Sequence, residues 1–235
     1  ATLEAAVAVP DDTLLIARAD GNVLTVHRYG SRETTKLYGH QSGLVDTLHF
    51  RDGGAMLVSG GTDRTIRVWD TATGVLRATL RGHTSAVHDL VTRPDDGMLI
   101  SLGSDFTRRQ WEMSDFELRY ERIVTRVGMN PRLVVDPSSH DLIATTLDGV
   151  IMADPFTGER EEIVSALPAA SNAMAITSDG RWLAVGDIDG FVRLIDRQSD
   201  TVIHTIDAFD DPVTALIIDD DRAMLYASAH SAPAP

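Results

Sequence analysis

A repeat restricts this chain more than any other feature. An Asp that precedes a strand-like run recurs at Asp20, Asp63, Asp105, Asp148 and Asp189, at intervals of 43, 42, 43 and 41 residues. A period of that length points to an array of similar supersecondary units. About ten residues before each Asp lies another turn: Pro10-Asp11-Asp12, Asp52-Gly53-Gly54, Pro94-Asp95-Asp96-Gly97, Pro137-Ser138-Ser139 and Ser178-Asp179-Gly180, with a sixth copy at Asp219-Asp220-Asp221.

Between the turns run short apolar and β-branched stretches, such as Met56-Leu57-Val58, Thr65-Ile66-Arg67-Val68-Trp69 and Phe191-Val192-Arg193-Leu194-Ile195. Four to seven such residues between Asp/Gly/Pro/Ser clusters, without a sustained 3.6-residue period, predict strands. The 27 Asp against 8 Glu agree, because Asp favours turns and Glu favours helices. Asp20-Gly21, Asp148-Gly149 and Asp189-Gly190 predict tight hairpins. Further turns at Thr71 to Gly74, Pro155 to Gly158 and Arg197 to Asp200 lead to a fourth run, so each repeat reads as a four-stranded antiparallel meander. One meander of ~40 residues cannot bury both faces, so copies must stack; radial stacking gives a β-propeller, and a flat row of sheets would leave its ends uncapped. The expected fold is all-β, a single propeller domain or segment over 1–235. It has five full repeats (about 5–38, 39–81, 82–124, 125–166 and 167–207), a partial sixth (208–230) and a tail (231–235).

Two repeats carry more. Gly39-His40 and Gly82-His83 stand 43 residues apart, followed by Trp69-Asp70 and Trp111-Glu112. The segment from Val58 to Asp70 resembles the WD40 repeat signature almost position for position. The resemblance implies a hydrogen-bonded tetrad in each repeat: His40, Ser59, Asp63 and Trp69, then His83, Ser101, Asp105 and Trp111. In the other repeats the Trp position reads Val26 or Ile195, the fourth repeat reads Met152-Ala153-Asp154, and the Ser position reads Ile16, Ala144 or Val185. These repeats lack the His, and only the turn Asp persists. Apolar replacement of the whole polar set keeps such a repeat packed.

The net charge of -14 opposes binding that neutralises many phosphates, so nucleic acid and anionic membrane are not expected partners. With no Cys there is no disulfide, thiolate metal site or cysteine nucleophile, which suits a cytoplasmic protein. No apolar run approaches the ~20 residues of a spanning helix. The eight His lack the i, i+4 spacing of a helical metal site, and Asp187-Ile188-Asp189-Gly190 and Asp219-Asp220-Asp221 lack the ladder of a calcium loop; neither metal nor cofactor is expected. A nucleophile drawn from Ser59, His40 and Asp63 would be buried beneath Trp69, so no catalytic residue is assigned. Asp46, Asp89 and Thr214 on the innermost strands are the candidates for the alternative, a metal-assisted hydrolase or lactonase-like enzyme using the central channel.

By the same resemblance, partners meet the face formed by the loops before each first strand and the turns between second and third strands. Carried over by position, that face holds Gln41, Ser42, Leu44, Thr62 and Arg64, then Thr84, Ser85, Ser104 and Phe106. Phe106 occupies a turn position that favours small or polar residues, and an exposed ring can anchor a partner. Phe209 is a second candidate anchor. All basic residues except Lys36 are Arg, many of them in repeats two to four. They read either as solvated strand faces or as an interface. The expected function is a non-catalytic scaffold for another protein or another domain of the same polypeptide. In bacteria with Arg-rich, Lys-poor proteins, such arrays accompany signalling ATPases, kinases or proteases, which implies the binding part of a signalling protein. A start at Ala1 and an end within a blade read as a segment of a longer propeller, about 294 residues for seven repeats.

Overall fold

The computed structural model describes residues 2–8, 14–31, 33–40, 42–93, 97–123, 132–145, 149–153, 160–165 and 167–229. Apart from one 3-10 turn at Asp52–Gly54, every regular element among them is a strand. The chain divides into two compact units, Ala1–Ile123 and Val124–Pro235.

The first unit holds three four-stranded antiparallel meanders. They are β1 (Thr2–Ala8), β2 (Leu14–Asp20), β3 (Val23–Arg28) and β4 (Thr34–Tyr38); β5 (Val45–Arg51), β6 (Met56–Gly61), β7 (Thr65–Asp70) and β8 (Leu76–Arg81); and β9 (Val87–Thr92), β10 (Leu99–Gly103), β11 (Thr107–Glu112) and β12 (Glu117–Ile123). The second unit holds two more and a two-stranded sheet. These are β13 (Leu133–Val135), β14 (Leu142–Thr145), β15 (Gly149–Ala153) and β16 (Arg160–Ser165); β17 (Ser171–Ile176), β18 (Trp182–Asp187), β19 (Phe191–Asp196) and β20 (Thr201–Asp207); and β21 (Val213–Asp219) with β22 (Met224–Ala229). The fold class is all-β, with sheets of the propeller-blade kind and the last repeat supplying its first two strands. The first sheet begins at Thr2, three residues before the expected repeat boundary.

The Asp-Gly turns act through backbone conformation. Asp20 pairs with Val23 across Gly21-Asn22, with Gly21 at a φ of 65°. Gly190 has a φ of 87°, and a Cβ there would lie 1.8 Å from the Phe209 carbonyl oxygen, so a side chain is excluded twice over. Asp148, Pro10-Asp11-Asp12, Pro94-Asp95-Asp96 and Pro155 to Gly158 lie outside the described residues.

Neighbouring sheets bury their apolar faces against each other within each unit. Ala17, Ala19, Leu24, Val26 and Leu37 of the first sheet enclose Leu57 and Trp69 of the second. Val58, Ile66, Val68 and Leu80 of the second in turn enclose Trp111 of the third. Each Trp thus reaches back into the preceding sheet, and truncating either to Ala would cost about 3–5 kcal/mol. In the second unit Ile195 takes that position, packed with Ile143 and Val150 of the sheet before. Close approach needs a small residue at one repeated site. A Cβ on Gly60 would come 2.8 Å from Val87, and one on Gly186 would come 2.5 Å from Val213.

Candidate functional site

The two polar tetrads fix the loops of the second and third sheets. The Trp69 indole N–H donates to Ser59 Oγ (2.9 Å), Ser59 Oγ meets His40 Nε2 (2.7 Å), and His40 Nδ1 meets Asp63 Oδ2 (3.0 Å). The indole can only donate, so the Ser59 hydroxyl accepts from it and passes its own proton to Nε2. That leaves the His40 proton on Nδ1, donated to the carboxylate. The third sheet repeats the order: Trp111 to Ser101 (2.9 Å), Ser101 to His83 Nε2 (2.7 Å) and His83 Nδ1 to Asp105 Oδ2 (2.9 Å). Burial pushes both imidazoles down, outweighing the pull of the carboxylates, so both rings are held neutral. Burial also pushes Asp63 and Asp105 up, but hydrogen bonds led by the Thr65 and Thr107 hydroxyls, with the imidazole beside each, bring both below the usual carboxylate range.

The Gly before each His has a steric reason. A Cβ on Gly39 would lie 2.4 Å from Trp69 Cη2, and one on Gly82 would lie 1.9 Å from Arg109 Nη1. Asp70, after the first Trp, accepts from Thr73 N (2.9 Å) and from Arg77 Nη2 (2.5 Å), closing the turn before β8.

Each tetrad Asp turns the chain so that the next residue points outward. Arg64 and Phe106 follow Asp63 and Asp105, and both are exposed at positive φ, 66° and 57°. A bulky residue there is strained by roughly 1–3 kcal/mol. Gly190 takes the same place after Asp189 without strain. Phe106 is 52% exposed and Leu44 59%. Arg64 has no ion pair among the described residues. Ser42, Thr62 and Thr84 are exposed, while Ser85 and Ser104 are half-buried. Thr62 Oγ1 accepts from Leu44 N (2.8 Å), and Thr84 N donates to Asp105 (2.8 Å). Gln41 lies outside the described residues. Phe209, expected as an anchor, is half-buried in the second unit and packs on Ala173, Val192 and Val213. Its ring is core for the short last sheet, and it drops out of the candidate face.

The channel candidates divide between the two units. Asp46 and Asp89 lie on β5 and β9, and Thr214 lies on β21, where its hydroxyl meets Ser228 Oγ (3.2 Å). Among the described residues no group of three or more His, Asp or Glu could hold a metal. Nor is any helix long and apolar enough to cross a membrane.

Residues 31–70, 74–111 and 164–196 match the family described as WD40: WD domain, G-beta repeat. The chain carries WD40 repeats. Autophagy-related protein 16 of Arabidopsis thaliana is 25% identical over 186 residues, 77% of this chain and 35% of that protein. Nuclear distribution protein PAC1 of Arthroderma otae is 31% identical over 166 residues, 69% and 31% of the two chains. A Lissencephaly-1 homolog of Caenorhabditis briggsae is 43% identical over 58 residues, 25% and 15%. The chain thus spans about a third or less of these relatives, all of them eukaryotic.

The third of the matched WD40 stretches ends in the fifth sheet, and there the polar set has been rebuilt in a way the turn pattern does not disclose. The buried carboxylate belongs to Asp187, two residues ahead of the expected Asp189. Asp187 Oδ1 accepts from Asp189 N (3.0 Å) and Phe191 N (2.9 Å), and its Oδ2 accepts from Arg193. Arg193 holds the position of Arg67 in the second sheet, so an Asp two residues before the turn Asp and an Arg four residues after it were the available signal. Elsewhere in the same unit, buried Asp136 accepts from Arg197 (2.8 Å), tying the fourth sheet to the fifth.

Proposed function

We propose that the chain is a rigid docking platform for another protein or another domain of the same polypeptide, the binding part of a larger cytoplasmic signalling protein. The observation that carries this reading is the pair Arg64 and Phe106. At one repeat position, where glycine is the unstrained choice, both repeats present a large side chain to solvent at positive φ. Strain retained at an exposed turn is accounted for when the residue serves contact, and aromatic and Arg side chains dominate protein interfaces. Leu44 adds apolar surface on the loop before β5. The tetrads beneath hold these loops in place before a partner arrives, which lowers the ordering cost of binding. Membership of the WD40 family supports an interaction role, and the absence of Cys agrees with a reducing compartment.

The test is crosslinking and capture by the full chain in its native extract, comparing wild type with Phe106→Ser and Arg64→Gly while melting is followed in parallel. Loss of the same specific partner in both variants at an unreduced melting temperature supports the reading. Full retention in both rejects this face.

A further inference from the structure

Among the described residues the first unit holds three Ser–His–Asp chains, and one of them differs from the other two. In the two tetrads Ser59 and Ser101 are fully buried and each accepts an indole N–H, so their oxygens are sealed from any substrate. The third joins two sheets at the candidate docking face. Ser104, in the turn after β10, meets His88 Nε2 on β9 at 2.5 Å, and His88 Nδ1 lies 3.5 Å from Asp46 Oδ2 on β5. Ser104 is half-buried, and the side chains of His88 and Asp46 are 17% and 25% exposed, so all three keep some contact with solvent.

We propose that Ser104 is a nucleophile toward small carboxylic esters with an apolar acyl group, with His88 as its general base and Asp46 as the positioning residue. The two imidazole nitrogens are used in the order that nucleophilic serine chemistry requires: Nε2 receives the hydroxyl proton, and Nδ1 faces a carboxylate that fixes the tautomer and stabilises the imidazolium. The 3.5 Å separation at Asp46 is a resting length that shortens as positive charge develops on the ring. Apolar surface flanks both ends of the chain, Phe106 two residues after Ser104 and Leu44 two residues before Asp46. The backbone N–H of Asp105, next after the nucleophile, donates to no acceptor among the described residues, and that position supplies an oxyanion donor in serine hydrolases.

In the reaction, Ser104 Oγ bonds to the ester carbonyl carbon as its proton passes to His88 Nε2. The tetrahedral adduct collapses with cleavage of the C–O bond, and the alcohol leaves carrying that proton. Water then attacks the acyl-serine, giving its proton through His88 to Ser104 Oγ, and the free acid departs. The products are one acid and one alcohol, with water the only co-reactant. This chemistry does not depend on the docking reading, since it needs no macromolecular partner.

The experiment treats the full chain with a fluorophosphonate probe, maps the adduct by peptide mass and measures p-nitrophenyl acetate hydrolysis in parallel. One adduct on Ser104 is expected, absent in Ser104→Ala. His88→Ala should lower the labelling rate at least ~100-fold, the scale of a lost general base. Asp46→Asn should lower it about tenfold and shift its pH profile, which a merely structural carboxylate would not do. The wild-type adduct is read without any variant, so a destabilised mutant leaves the result intact. No adduct on the folded wild type, an adduct at another serine, or equal labelling in His88→Ala overturns the proposal. Partner capture that survives these variants leaves the docking reading untouched.

Discussion

Replacing Asp63 with Ala tests whether the tetrad in the second sheet holds its loops together. The carboxylate accepts from His40 Nδ1 (3.0 Å), Thr65 N (3.1 Å) and Thr65 Oγ1 (2.7 Å), with Arg67 3.5 Å away. His40 is fully buried and Thr65 nearly so, so neither can turn to water when the acceptor is removed. The Thr65 hydroxyl can rotate, which leaves two stranded N–H donors at about 1–3 kcal/mol each, or about 4 kcal/mol in all. At roughly 4 °C per kcal/mol for a unit of this size, the midpoint of melting falls by about 16 °C. Urea and thermal denaturation followed by circular dichroism measure it. Ser59→Ala supplies the second arm, because Ser59 and Asp63 act through the same imidazole. Their combined loss should fall short of the sum of the single losses by about 0.5–3 kcal/mol. Asp115→Ala, which removes an exposed pair with Arg119 and an exposed acceptor of Glu117 N (3.0 Å), should move stability by less than ~1 kcal/mol. A drop below about 3 °C for Asp63→Ala, or strict additivity with Ser59→Ala, would refute the relay.

Other outcomes follow from the same geometry. Phe106→Gly removes a strained φ, so its melting temperature should rise, with a gain of roughly 1 kcal/mol in denaturant titration; an unchanged or lower value contradicts the strain. Asp187→Ala leaves the Arg193 guanidinium buried without its carboxylate and should cost about 3–5 kcal/mol, measured by urea unfolding. Gly186→Val drives a side chain into Val213 and should destabilise the second unit, a change visible as early protease cleavage in residues 171–219. Acid should weaken the fold before any carboxylate titrates. His40, His83 and His49 are all lowered from 6.5, His49 to about 4 by burial and the nearby Arg51 charge. The unfolded chain therefore takes up these protons first. Their stabilisation is complete above pH 6.5 and is lost as pH falls toward the folded values, by up to ~1.4 kcal/mol per pH unit for each ring. Equal urea midpoints at pH 7.5 and 5.5 would contradict this.

Much of this architecture is legible in the sequence because turns carry local chemistry. Asp20-Gly21 and Asp189-Gly190 specify their hairpins by backbone preference alone, and the tetrads are legible because His40, Ser59, Asp63 and Trp69 sit at fixed distances along one sheet. The fifth sheet was less legible. Moving the carboxylate from Asp189 to Asp187 keeps a buried acid but changes its partner from an imidazole to Arg193, and no periodic pattern records which of two neighbouring Asp points inward. Phe209 was ambiguous for a related reason. Whether a ring in a connecting loop is exposed depends on what the next sheet supplies to cover it, and here Val213 and its neighbours do so.

The contacts between sheets were hidden by distance along the chain, yet they obey a rule that the repeat itself supplies. Residues one period apart occupy matching places on adjacent sheets, so a side chain that leans sideways meets its partner about 42 residues on. Arg132 Nε donates to Asn172 O across 40 residues, Asn172 Nδ2 to Val213 O across 41, and Ser178 N to Asp220 across 42. Asp46 and His88 are also 42 apart. Polar residues paired at that spacing, in place of runs along one strand, bring Asp46 and His88 together from the sequence alone. Ser104, 16 residues beyond His88, completes the set because β9 and β10 are hairpin neighbours and the following turn doubles back over β9. The Ser104–His88–Asp46 arrangement therefore arises where one within-sheet spacing and one repeat period intersect. Neither spacing alone would single it out.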